Sequence, residues 1–225
     1  APVGFGAGLV IGRDVRGGPT VVRMFRPSPT EVAMVGGLET AGVVILRAVA
    51  VGAHVYMRTS DPAACQPLVD ATGGRCRVVT GLDTVAELTA SAGPLQPVLL
   101  VEEVGVGNPG VNPEVSWRVS AGWQTRLRFA RALTEDSARG LAGADLTILT
   151  RLEATEADVA VRTLGVDPET VPELTHLPDA MTALVGGGVD GYTSLAPTDW
   201  ERGVIDGRPA PAHTPRTPRK RRRRS

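Results

Sequence analysis

Residues 31–60, EVAMVGGLETAGVVILRAVAVGAHVYMRTS, limit what this chain can fold into more than any other stretch. An apolar run ends on Gly36-Gly37. A helical period of apolar residues follows at Leu38, Ala41, Ile45, Leu46 and Val49, and a second apolar run begins at His54. That order predicts strand, tight glycine turn, helix, strand, the frame in which α/β proteins cradle a phosphate. The residues that would grip the phosphate are absent. A phosphate loop of the P-loop type needs a lysine and a Ser/Thr at the start of its helix. Here those positions offer Glu39, Thr40, Ala41 and Gly42, and the single lysine of the chain is Lys220.

Lysine chemistry is therefore excluded from the body: no Schiff base, phosphate clamp or lysine general base is available. Arginine outnumbers lysine 23 to 1, which with the Ala, Gly, Val and Pro bias fits a GC-rich genome. Cys65 and Cys76 stand eleven apart without a CxxC, and His54, His176 and His213 have no metal-ligand spacing. No metal and no cofactor are expected, and both cysteines read as reduced and partly buried, as in a cytosolic domain. Ser116, Ser137 and Ser194 lack a GxSxG context. Asp83, Asp145 and Asp199 have no partner visible in the sequence, and His54 alternates with apolar residues as a structural strand histidine does. Trp117 and Trp200 read as partner anchors, and Trp123 as a core residue.

Two places merit weighing as sites. Gly36 and Gly37 would let a phosphate approach the helix start. Glu39 in the first turn suits the helix dipole and would repel an anion, so a tight structural turn is the simpler reading. Glu102-Glu103 closes the apolar run PVLLVEE. In ATPases such a pair holds a metal and polarises water, but without its usual partners it reads as a solvated strand end.

Alternation of strand and helix along the chain predicts an α/β layered domain with a mostly parallel central sheet flanked by helices. The sheet is mixed if the N-terminal hairpin and the 123–133 strand join it. Residues 1–205 are expected to form one such domain, with the hairpin inside 1–30 and a short helix at 82–90. A Gly/Pro/Asn loop is expected at 105–116. Residues 123–133 alternate Trp123, Thr125, Leu127, Phe129, Arg131 against Gln124, Arg126, Arg128, Ala130, which reads as a half-exposed strand near a sheet edge. Residues 206–225 read as a disordered Pro/Arg-rich basic tail. The apolar stretch 41–57 contains Arg47 and His54 and is not a membrane span. The sequence begins at Ala1 without a methionine, so membrane helices could precede it.

The net charge of zero hides a division. All 24 acidic residues precede residue 207, and seven of the 24 basic ones lie in 214–225: Arg216, Arg219, Lys220, Arg221, Arg222, Arg223 and Arg224. Residues 1–213 carry −7 and the last twelve carry +7. The tail is expected to contact an anionic membrane surface or an acidic partner, each cation near an anionic leaflet contributing on the order of ~1 kcal/mol. The acidic body and the lack of aromatic residues among the cations argue against nucleic acid.

Three stretches carry a family resemblance: GRDVRGGPTVVRMFRPSPTEVAMVGGLETAGVVILRAVAVGAHVYMRTSDPAACQPL, WQTRLRFARALTEDSARGLAGADLTILTRLEATEADVAV and LPDAMTALVGGGVDGYTSLAPTDWE. Together they resemble the soluble regions of actinobacterial type VII (ESX) secretion components of the EccE kind. The resemblance implies an accessory subunit at the cytoplasmic face of the inner membrane, with other secretion-machine subunits as partners. It supplies no catalytic residue. The expectation is a non-enzymatic assembly or scaffold component of a type VII-like secretion machine. The alternative is a degenerate P-loop-like nucleotide-binding module without hydrolysis, built on Gly36-Gly37. A third reading, by analogy of fold, is an enzyme of glycosyltransferase-like fold using Glu102 or Glu103.

Overall fold

A computed structural model describes residues 8–79, 89–105 and 117–208. The loop expected at 105–116 and the helix at 82–90 fall almost wholly outside these residues, and the tail from 209 onward does so entirely.

Ten strands form one sheet among the described residues: β1 (Leu9–Arg13), β2 (Pro19–Val22), β3 (Thr30–Val35), β4 (His54–Arg58), β5 (Cys76–Val78), β6 (Val98–Glu103), β7 (Gln124–Ala130), β8 (Leu146–Leu149), β9 (Met181–Gly186) and β10 (Gly191–Ser194). Their spatial order is β2-β1-β10-β9-β8-β3-β7-β6-β4-β5. Strands β8, β3, β7, β6, β4 and β5 run parallel, and β9, β10, β1 and β2 extend the sheet antiparallel. The mixed α/β sheet expected from the sequence is what forms.

Six α-helices accompany it among the described residues: α1 (Leu38–Ala50), α2 (Pro62–Ala71), α3 (Glu135–Leu141), α4 (Ala154–Val159), α5 (Val171–Thr175) and α6 (Asp199–Ile205). Local sequence explains their ends. Asp61 caps α2 with Pro62 in its first turn, and Thr134 closes a capping box with Ser137 at α3. Val43, Val44 and Ile45 give α1 modest intrinsic helicity. It is held by burial, with Ala41, Val44, Ile45 and Ala48 shielded from solvent.

The helices divide between the faces. Helices α1, α2 and α6 pack against Val32, Met34, Val55, Met57, Leu99, Val101, Leu127 and Phe129. Helices α3, α4 and α5 pack with Ala33, Val35, Ala130 and Leu149 on the opposite face. Gly42 lets α6 come close to α1: a Cβ there would lie 3.2 Å from Ile205 Cγ1. Arg47 then clamps α1 to α6 through Glu201, at 2.8 Å from Nε, and also donates to the carbonyls of Ile11 and Leu195.

One expectation fails here. β7 is no edge strand; it lies in the middle of the sheet between β3 and β6. Its polar face is buried as well. Arg126 Nε meets Glu31 at 2.7 Å, Arg58 Nη1 meets Glu102 at 3.1 Å, and Arg126 Nη1 stands 3.8 Å from Glu102 Oε2. Arg128 lies 3.6 Å from Glu31 and donates to the carbonyls of Gly140 and Ala142 at the end of α3. Alternation of charge along β7 marks a buried ion-pair network, not a solvated face. Desolvation pulls the Arg58 and Arg128 guanidiniums below their ordinary range. Removing one partner of such a network strands a buried charge. Glu102→Ala is therefore expected to cost about 3–5 kcal/mol in urea unfolding, whereas Glu135→Ala, on an exposed pair with Arg162, is expected to leave the urea midpoint nearly unchanged.

Candidate functional site

Topology selects the place to look. The chain leaves β3 for α1 on one face of the sheet and leaves β7 for α3 on the other, although β3 and β7 are neighbours. Such a reversal opens a crevice at the carboxyl ends of the two strands, where open α/β sheets bind ligands. Gly36 and Gly37 form one lip of that crevice and Arg131 the other. Gly36 N–H closes the base by donating to the Ala130 carbonyl at 2.8 Å.

The glycine turn has distinct requirements at its two positions. At Gly36 the backbone adopts φ 158° and a Cβ would crowd Thr150 Cγ2 at 3.0 Å and Thr40 Oγ1 at 3.3 Å, so backbone and packing together favour glycine. At Gly37 neither packing nor backbone does. Its φ is −73°, and a Cβ would meet nothing nearer than Glu39 Oε2 at 3.9 Å. Gly37 is also the N-cap of α1 and supplies no side-chain cap, so the first-turn amides of a 13-residue helix are left to other partners.

The two acidic residues of β6 are both buried, against the expectation of a solvated strand end. Glu102 belongs to the network described above and also accepts the Trp117 amide at 3.1 Å. Arg58 stacks on the Trp117 ring at 4.4 Å. Glu103 faces the crevice. Its Oε2 accepts the Thr59 hydroxyl at 2.7 Å, the Ser60 hydroxyl at 2.9 Å and the Ser60 amide at 3.2 Å. Its Oε1 accepts Arg131 Nε at 2.8 Å. Burial alone would raise its pKa, but these hydrogen bonds outweigh burial and hold it below the ordinary carboxylate value of 4.5.

Two cavities open at this rim. A small one of about 150 Å³ is lined by Ser60, Glu103, Gly105, Arg131 and Thr134. A larger cleft of about 520 Å³ runs past Gly37, Glu39, Pro67, Arg131, Ile205 and Asp206. Helix α6 forms the outer wall of the larger cleft.

Other sequence candidates are placed elsewhere. Trp117 is buried, so it is no exposed anchor; Trp123 is half-buried in a turn at φ 65° and not in the core; Trp200 is exposed on α6. Asp145 gains partners invisible in sequence, Arg26 at 2.9 Å and the Glu31 amide at 2.8 Å. Ser137 caps α3, and His54 pairs with Gln96 at 2.7 Å. Cys65 and Cys76 are free thiols, fully and not partly buried, and burial pushes them up to about 11 and about 12. Asp83, Ser116 and the tail cations Arg216, Arg219, Lys220 and Arg221 to Arg224 lie outside the described residues. Among the described residues no three His, Cys, Asp or Glu side chains gather at metal-binding range, and no helix is long and apolar enough to cross a membrane. Sequence reading missed Thr59, Ser60, Arg131 and Glu201 as organising residues. The clearest signal was TDWE at 198–201, a capping-box pattern announcing α6.

No protein-family model matches the sequence, and no curated protein matches it significantly. Solved structures do. VirB4 of Thermoanaerobacter pseudethanolicus superposes with a TM-score of 0.58 at 8% identity, over 90% of this chain and 100% of that one. The pCW3 conjugation coupling protein TcpA, solved as a monomer with ATPγS, superposes with a TM-score of 0.50 at 11% identity, over 84% of this chain and 65% of TcpA. At these identities the likeness shows the fold alone: the body shares its fold with VirB4 and TcpA. The expectation that the chain is not an enzyme is corrected by this. A missing helix-start lysine argued for an inert adaptor, but the body shares its fold with TcpA, a protein solved with ATPγS.

The depressed carboxyl of Glu103 gives a pH prediction. A group whose folded pKa lies below its unfolded one contributes stability that is complete above the unfolded value and is lost as pH falls through the folded value. Wild type is therefore expected to lose urea stability below pH 4.5 more steeply than Glu103→Gln. Parallel acid limbs in the two proteins would contradict the assignment.

Proposed function

We propose that this chain is a nucleoside-triphosphate-binding subunit of a secretion- or conjugation-type machine, with the phosphates held at the strand-end crevice beside Gly36-Gly37. One observation carries the reading: an uncapped glycine turn lies on the topological switch of a fold shared with TcpA, a protein solved with ATPγS. The first-turn amides of α1 point positive partial charge at the crevice. Gly37 keeps the approach to them open, and the larger cleft offers room beside them. Glu39 opposes an anion there, so affinity depends on contacts beyond the helix start.

The sequence resemblance to EccE-like proteins supports a type VII setting for this module. The division of charge between body and tail supports contact of Arg216, Arg219, Lys220 and Arg221 to Arg224 with the anionic cytoplasmic leaflet, and residues 1–205 acting as one unit beneath it.

Calorimetry of the full chain with ATPγS and Mg²⁺ tests the nucleotide reading. Saturable binding is expected, and Gly37→Val is expected to abolish it while costing only about 1 kcal/mol of stability through the poorer N-cap of α1. Phosphate release from ATP depends on the same glycine and falls with it. No heat at millimolar ATPγS would remove the proposal. For the tail, deletion of 214–225 is expected to weaken sedimentation with phosphatidylserine vesicles at low salt. Equal sedimentation of both chains would exclude a membrane role for it.

A further inference from the structure

The two cavities at the rim share one side chain, Arg131. It follows the last residue of β7 directly and stands across the crevice from Gly36-Gly37. An arginine in such a place would ordinarily sample many rotamers, and this one is anchored. Its Nε donates to Glu103 Oε1 at 2.8 Å, and the Glu103 carboxylate is itself fixed by Thr59 and Ser60. The two side chains differ in burial: 8% of Glu103 is exposed and 55% of Arg131. The root of the guanidinium thus rests on a buried carboxylate while its outer edge faces the crevice. Its two terminal nitrogens donate no hydrogen bond among the described residues.

We propose that Arg131 supplies the phosphate-binding donor group that the start of α1 lacks, engaging the terminal phosphate oxygens of a nucleoside polyphosphate with the outer edge of its guanidinium. The inference rests on the nucleotide reading above. A lysine at the helix start would approach the phosphate as a point charge. Arg131 approaches from the neighbouring strand as a planar fork whose geometry suits two oxygens at once. Glu103 plays the supporting part: it fixes the plane of the fork and prepays much of the rotamer cost of ordering it. Because Glu103 also offsets the charge, the contribution is directional and short-range, and steady attraction from a distance plays little part. A lysine at position 131 keeps a charge but cannot keep both the anchor and the fork.

The test is titration of the full chain with ATPγS and, separately, with adenosine. Arg131→Ala is expected to weaken ATPγS binding roughly ten- to hundredfold and to leave adenosine binding unchanged, although loss of the Glu103 partner lowers the melting temperature. Arg131→Lys is expected to recover only part of the loss. Glu103→Gln, which keeps the guanidinium and weakens its anchor, is expected to fall between wild type and Arg131→Ala. Wild-type affinity for ATPγS in Arg131→Ala, with Gly37→Val still defective, would overturn the role of Arg131 and leave the nucleotide reading standing. Equal loss of ATPγS and adenosine would overturn it in favour of a structural role. If wild type binds neither ligand, the nucleotide reading fails and this inference goes with it.

Discussion

Glu102 and Glu103 are consecutive residues of one extended strand, so the pleat sends them to opposite faces of the sheet. Both are buried there, and a buried carboxylate must find cationic or hydrogen-bonding partners. Glu102 finds Arg58 and Arg126 beneath the sheet, and through Arg126 the network reaches Glu31 and Arg128. Four parallel strands, β4, β6, β7 and β3, are thereby tied by side chains as well as by backbone. Glu103 finds Thr59, Ser60 and Arg131 above it. These groups come from the ends of three strands, and their convergence gives the candidate site its floor. The order of the strands and the shape of the rim thus depend on where these two charges go.

The same constraint explains how a cation comes to stand at a glycine turn whose helix start carries no lysine. The lip of the crevice brings together a glycine turn, a helix start and a fixed cation. The first two are contributed locally by β3 and α1. A cation reaches the rim from β7 and is fixed through Glu103, residues far from the turn in sequence and close to it in space. Helix α6, drawn onto α1 at Gly42 and held by Arg47–Glu201, walls the larger cleft from the outside. It comes from the far end of the described chain, so the cleft is completed only when the last helix docks.

Much of the fold was legible in the residues. The 3.6-residue apolar period from Leu38, the Asp61-Pro62 start and the Thr134 cap each announced a helix. The helical stretch begun by α4 continues as a π-helical turn, Ala160–Leu164, and stops at Gly165 with φ 71°. β7 misled because alternation of apolar and charged residues has two physical causes. A strand alternates when one face meets water, and it alternates equally when one face meets buried opposite charges. Arg126 and Arg128 are balanced by Glu31 and Glu102 on other strands, and nothing within 123–133 reveals that. Trp117 misled similarly, since an aromatic beside a Gly/Pro/Asn-rich stretch reads as exposed until Arg58 is found stacked on it.

By itself the sequence determined the local elements, the glycine turn, the lack of a core lysine and the separation of charge between body and tail. These follow from dihedral preference, periodicity and residue count, which act over a few neighbours or over the chain as a sum. Only the tertiary structure decided that β3 and β7 are neighbours, that Glu102 and Glu103 are buried, and that Arg131 shares a rim with Gly37. Those outcomes depend on strand order and on pairing of charges many residues apart, an energy that exists only once the sheet has assembled.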